Sequence, residues 1–123
     1  MAVHASHSIL LVDDDPEILE MTEALFSLEG YAVTTAQNGL VALGKLDGGL
    51  RPCVVLLDLM MPQMNGYQFM EELRARELVD EVPVLVFTAA AVRTPPTGAL
   101  MVLEKPLDVE GLVKTVASVC EKG

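Results

Sequence analysis

"LLVDDDPEIL", Leu10 to Leu19, passes within ten residues from an apolar run through three adjacent carboxylates into a helical pattern led by proline. An apolar run this short and continuous suits a strand buried on both faces. Asp15 directly before Pro16 fits the N-cap of a helix with proline at its first position, and Glu17 sits near the positive end of the helix dipole. Asp13 and Asp14 are not needed for that task. Two ionised carboxylates about 4 Å apart repel by roughly 4 kcal/mol at an effective dielectric near 20, so the pair calls for a compensating cation or else stands as a solvated strand end.

The same alternation runs along the whole chain. Apolar runs recur at Val54 to Leu57, Val84 to Phe87 and Leu100 to Leu103, with a weaker, more polar one at Tyr31 to Thr35. Between them lie residues at helical spacing: Ile18, Thr22, Leu25, Phe26 and Leu28 before Gly30; Leu40, Leu43 and Leu46 before Gly48 and Gly49; Phe69, Met70 and Leu73; and Leu112, Val113, Val116 and Cys120. Strand and helix alternate five times, which by the right-handed crossover rule gives an α/β fold with a parallel sheet covered on both faces. One domain over residues 9–121, after a tail at 1–8, is expected. The last crossover before the fifth strand breaks the rhythm. Its "AAAVRTPPTGA", Ala89 to Ala99, reaches Pro95 and Pro96 after a few helix-compatible residues, and proline inside a helix costs about 3 kcal/mol. The fourth helix is therefore predicted to be shortened or absent.

Composition bounds the function. In 123 residues, 51% are apolar and 21% charged, enough for one buried core. Eight Lys and Arg against eighteen Asp and Glu give a net charge of -10, which disfavours non-specific contact with nucleic acid or anionic membrane and favours cations. Cys53 and Cys120 lack CxxC or metal-type spacing, and the expectation is two separate thiols in a reduced, intracellular setting. "MAVHASHS" lacks the features of a signal peptide, and the longest apolar-rich segment, Val82 to Val92, is too short to span a bilayer. A cytoplasmic location is expected, with His4 and His7 as exposed bystanders in the tail.

In open parallel sheets, ligands bind beyond the carboxyl ends of the strands. Here those ends carry Asp13, Asp14 and Asp15; Asp58; Thr88; and Glu104 with Lys105. A hard divalent cation such as Mg²⁺ would reconcile Asp13 and Asp14 with Asp58. Beside it, the Asp58 carboxylate could attack an activated phosphorus, with Lys105 neutralising one phosphoryl oxygen and Thr88 donating a hydrogen bond to another. Each residue also has an ordinary role available: Asp58 as a turn or cap residue, Thr88 as a strand end, Lys105 as a partner of Glu104 or an exposed acid.

"ILLVDDDPEI", "VVLLDLMMPQMNG", "VLVFTA" and "LEKP", in this order from about Ile9 to Glu121, resemble the receiver domain of two-component response regulators. The resemblance implies a doubly wound, flavodoxin-like sheet of order 2-1-3-4-5. It implies Asp58 as phosphoacceptor; Asp13, Asp14, Asp58 and the backbone carbonyl of Met60 as Mg²⁺ ligands; and Thr88 and Lys105 as switch hydroxyl and phosphate-binding ammonium. A cis bond before Pro106 is also implied. The function implied is Mg²⁺-dependent transfer of a phosphoryl group from a phosphohistidine of a sensor histidine kinase or phosphotransfer protein to Asp58, followed by hydrolysis, with a downstream protein target. The domain would thus catalyse its own phosphorylation and dephosphorylation while acting mainly as a signalling protein.

The sequence departs from that pattern in places. The segment from Thr88 to Lys105 is about five residues short of the family's usual length, and "LMVL" lacks the aromatic that commonly changes rotamer with the switch hydroxyl. Output through the fourth-helix face is therefore expected to be altered. Met60 and Ala90 stand where the family shapes water access, and neither side chain can orient a water, which suggests a long-lived phosphoform. The chain ends at Gly123 after its last helix, so a stand-alone receiver or an excised one is expected. Three other classes compete. A nucleotide or flavin binder needs a Gly- and Ser/Thr-rich loop where "DDDP" stands. An aspartyl-phosphate hydrolase needs a second carboxylate where Met60 stands. A non-phosphorylated interaction module of receiver fold would tolerate the damaged fourth helix.

Overall fold

The five apolar runs pair as parallel strands in the computed structural model, which describes residues 7–89, 91–105 and 108–122. In chain order the elements are β1 (Ser8–Val12), α1 (Pro16–Leu28), β2 (Ala32–Ala36), α2 (Gly39–Asp47), β3 (Val54–Leu57), α3 (Gly66–Ala75), β4 (Val84–Thr88), β5 (Met101–Glu104) and α4 (Val109–Lys122). The sheet order is β2-β1-β3-β4-β5. Strand residues alternate between two apolar layers because successive side chains point to opposite faces. Leu10, Val12, Val55, Leu57 and Val84 pack with α2 and α3, whereas Ile9, Leu11, Val54, Leu56 and Leu85 pack with α1 and α4.

Parallel register brings the functional residues to one edge. Val12 is level with Leu57, and Thr88 with Glu104. Backbone bonds carry the alignment one residue past the strands: Asp58 N–H donates to the Val12 carbonyl at 2.9 Å, and Lys105 N–H to that of Thr88 at 2.9 Å.

Among the described residues, no helix lies between β4 and β5. That stretch is instead tied to α3: the Tyr67 hydroxyl donates to the Thr94 carbonyl at 2.9 Å, and Gly98, at φ +98°, packs against Met70 and Val79. Loss of the covering helix also corrects one expectation. The run at Leu100 to Leu103 is not buried on both faces, for Leu100 and Met101 are exposed and β5 is the edge strand. The bond before Pro106 and the position of Ala90 fall outside the described residues.

A second correction concerns the cysteines, which are not separate thiols. Cys53 and Cys120 are joined by a disulfide across a separation of 67 residues. Cys53 immediately precedes β3, and Cys120 continues the buried stripe of α4 four residues after Val116, so the crossover delivers both sulfurs to one end of the sheet. Spacing along the chain carries no trace of that meeting, and the inference of a reduced setting lapses with it. No described helix is long and apolar enough to cross a membrane.

Candidate functional site

Asp15 does what its sequence context demands. Its carboxylate accepts the N–H of Glu17 at 2.9 Å, with extended backbone at the cap and Pro16 opening α1. This frees the other two aspartates from capping the helix. Asp13 is buried and Asp14 exposed. Asp13, Asp14 and Asp58 each offer a carboxylate oxygen, and the three oxygens lie within 4.8 Å of one another. A buried pair with one solvent-facing member matches a hard cation that takes a few carboxylates and keeps several waters.

Asp58 is 8% exposed, and its two oxygens have different surroundings. Oδ1 accepts the buried Thr88 hydroxyl at 2.8 Å and the Met60 N–H at 3.3 Å; Oδ2 lies 3.8 Å from the Lys105 ammonium. Lys105 makes its shorter contact with Asp13, at 2.6 Å across 92 residues, and this settles its pairing against Glu104. The ammonium also sits 5.3 Å from the centre of the Phe87 ring, a cation–π geometry that limits where the long side chain can swing. Part of the repulsion in the triplet is thus offset by Lys105, with no ion required.

Burial pushes the Asp13 carboxyl above its ordinary value of 3.8; the Lys105 ammonium and the Asp15 N–H pull it down, and the charge of Asp58 raises it further. A carboxylate whose folded-state value is raised favours the fold most while protonated. Its contribution to stability is lost as pH rises from the unfolded value through the folded one. In chelator, Asp13→Asn is therefore expected to flatten the fall in stability above pH 4 and to leave the variant more stable than the parent at pH 7. Urea midpoints across that range test this, and a less stable variant at neutral pH would contradict it.

With this geometry in place, comparison with known proteins decides the family. The response regulator receiver domain model matches residues 9–117. The chain belongs to the response regulator receiver domain family. The receiver domain is 48% identical over 81 residues to a CpxR homolog of Haemophilus influenzae, covering 66% of this chain and 34% of that protein. It is 35% identical over 113 residues to the regulatory protein AtoC of Escherichia coli, covering 88% of this chain and 24% of that one. It thus spans about a third of the first relative's length and about a quarter of the second's. Among solved structures, CheY4 of Vibrio cholerae matches with a TM-score of 0.82 at 30% identity, over 92% of this chain and 98% of that one. TrrA of Thermotoga maritima, solved in complex with Mg(2+)-BeF, matches with a TM-score of 0.81 at 28% identity, over the same shares of each chain.

The sequence motifs named the acidic and basic residues that meet at this sheet edge but passed over two that support them. Phe87 carried no signal beyond being apolar. Gly66, quoted within "VVLLDLMMPQMNG", has a positional reason that emerges only in three dimensions. Its N–H donates to the Leu59 carbonyl at 2.9 Å, and a Cβ there would stand 2.5 Å from Leu59 Cδ2, 2.8 Å from Leu59 Cα and 3.0 Å from the Asp58 carbonyl oxygen. Two of those atoms are backbone and cannot rotate away. Gly66→Ala is expected to cost about 1–3 kcal/mol through overpacking and to move the Asp58 and Leu59 amide signals in NMR spectra; an unshifted loop and an unchanged urea midpoint would contradict it.

Proposed function

We propose that residues 9–121 form a phosphoacceptor module that takes a phosphoryl group onto Asp58 from the phosphohistidine of a sensor histidine kinase or phosphotransfer protein and later loses it to water. The observation that carries this reading is the meeting at one sheet edge of the Asp58 carboxylate with the Thr88 hydroxyl at 2.8 Å and the Lys105 ammonium at 3.8 Å. In the transfer, an Asp58 oxygen bonds to phosphorus as the nitrogen–phosphorus bond breaks. The electron pair returns to the imidazole nitrogen, and an acyl phosphate remains on Asp58.

The chain's own residues supply positioning and charge. Lys105 shares its ammonium between Asp13 and a phosphoryl oxygen, while the Thr88 hydroxyl turns from Oδ1 of Asp58 to donate to another. Asp13, Asp14 and Asp58, with the Met60 carbonyl, would hold Mg²⁺; the carboxylate cluster and the Mg(2+)-BeF complex of the Thermotoga relative support this. Bound there, the ion supplies positive charge against the carboxylates and phosphoryl oxygens.

Output differs from the family's usual form in this reading. No aromatic stands in β5 to follow Thr88, and with no helix between β4 and β5 among the described residues, Leu100 and Met101 are exposed. The signal passes to a protein target through a surface other than a fourth-helix face. Met60 is 66% exposed and aliphatic, with no side-chain group to orient an attacking water, so the phosphoform is long-lived; rapid loss of phosphate once the donor is removed would sink that part. The setting is cytoplasmic, without direct contact to nucleic acid or membrane, in keeping with the net charge of -10.

Incubation of the chain with Mg²⁺ and a small phosphodonor, followed by intact mass measurement, tests the reading. One phosphoryl adduct per chain is expected. No adduct would favour the second reading, an interaction module of receiver fold, for which the lack of a helix between β4 and β5 among the described residues speaks.

A further inference from the structure

We infer that Cys53 and Cys120 form a thiol–disulfide exchange site, at the end of the sheet remote from Asp58, through which a dithiol reductant sets the rate at which Asp58 is phosphorylated. The inference rests on the phosphoacceptor reading. Its first support is access. Cys53 is half-buried, and both cysteines line an open surface hollow of about 360 Å³ together with Pro52, Glu81 and Val119. Cys120 is buried, so a small dithiol approaches the bond from the side of Cys53.

The second support is where the bond sits in the chain. β3, Val54–Leu57, lies between Cys53 and Asp58, and α4 runs back from Cys120 to a start four residues after Lys105. The disulfide thus closes a covalent loop that contains Asp58, Thr88 and Lys105 together. Helix α4 rests on the sheet by a stripe at four-residue spacing, Leu112, Val116 and Cys120, and the last of these is the bonded cysteine. Its outer face is solvated, with Val109 exposed and Glu110 and Lys114 forming an exposed pair. Releasing the cysteine removes the covalent anchor from one end of the helix whose other end leads to Lys105.

The chemistry balances. A thiolate of the dithiol attacks Sγ of Cys53, the S–S bond breaks, and its electron pair leaves on Sγ of Cys120, which takes a proton. The second thiol of the reductant then displaces Cys53 as a thiol, so two electrons pass to the chain and the reductant ends as a cyclic disulfide.

Adduct formation on the full chain, with Mg²⁺ and a small phosphodonor, is to be timed after air oxidation, after dithiothreitol, and after reoxidation. Reduction is expected to slow the reaction roughly threefold or more, as a loosened positioning group does. Reoxidation should restore the rate, and a Cys53→Ala, Cys120→Ala variant should show the slow rate with or without dithiothreitol. Hydrogen exchange of α4 amides should rise on reduction by more than that of β1 and β3, which share only the rise that lower global stability brings. Two titratable thiols with an unchanged rate would overturn the inference, as would exchange in α4 rising no more than in β1 and β3, which marks a global staple. If the oxidised chain forms no adduct at all, the phosphoacceptor reading itself fails, and exchange in α4 still reports whether the helix responds to reduction.

Discussion

Asp58→Asn is expected to abolish the phosphoryl adduct while leaving the fold intact. An amide oxygen has neither the charge nor the basicity to displace a nitrogen leaving group from phosphorus, and no other carboxylate has the same surroundings. Asp13 is held by Lys105 at 2.6 Å, and Asp14 faces solvent. Asparagine nearly reproduces the shape of aspartate, and its carbonyl can still accept the Thr88 hydroxyl. Substitution also removes one of three carboxylates whose oxygens lie within 4.8 Å. At that separation and an effective dielectric near 20, each pair repels by on the order of 3 kcal/mol before Lys105 offsets it. The variant should therefore unfold at an equal or higher urea concentration than the parent while its intact mass stays unchanged after incubation with donor. An adduct of normal yield on Asp58→Asn would move the acceptor elsewhere. Loss of adduct together with a large drop in stability would show instead that the variant fails for want of a fold.

Breaking the Cys53–Cys120 link carries the largest expected effect on stability. A disulfide that closes a loop across 67 residues restricts the unfolded chain by about 4 kcal/mol in the chain-entropy treatment. With a urea dependence of about 2 kcal/mol per molar, the midpoint should fall by roughly 2 M in Cys53→Ala or Cys120→Ala, measured in oxidising buffer. The parent in dithiothreitol should match the variants. Native domains hold about 5–15 kcal/mol in reserve, so the reduced receiver domain is expected to stay folded at ambient temperature. A midpoint shift confined to the measurement error would mean that the sulfurs are not joined in solution.

What could be read along the chain follows the range over which each interaction acts. Asp15 was legible as a cap because its bond to the Glu17 N–H spans two residues. The absent helix was legible because Pro95 and Pro96 act on their own backbone, and the structure bears that out among the described residues. Lys105 was harder. Both Glu104 beside it and the distant carboxylates were open to it, and the choice of Asp13 depends on the register of β1, β3, β4 and β5. Gly66 stood in the sequence only as the last letter of a quoted motif, whereas its need for no side chain comes from Leu59 and the Asp58 carbonyl pressed against it. The run at Leu100 to Leu103 had the apolar character of a central strand. Its exposure follows from its place at the sheet edge beside a crossover without a helix.

The alternation of strands and helices, the sheet that right-handed crossovers build from it, and the residue types at the carboxyl ends of the strands were all legible along the chain. These follow from periodicity, capping and proline geometry, all of which operate within a few residues. Which charges meet, the place of Phe87 beside Lys105, and the bond between two cysteines 67 positions apart came from the folded arrangement. Such contacts depend on strand register and helix docking summed over the whole sheet, and no local preference along the chain encodes that sum.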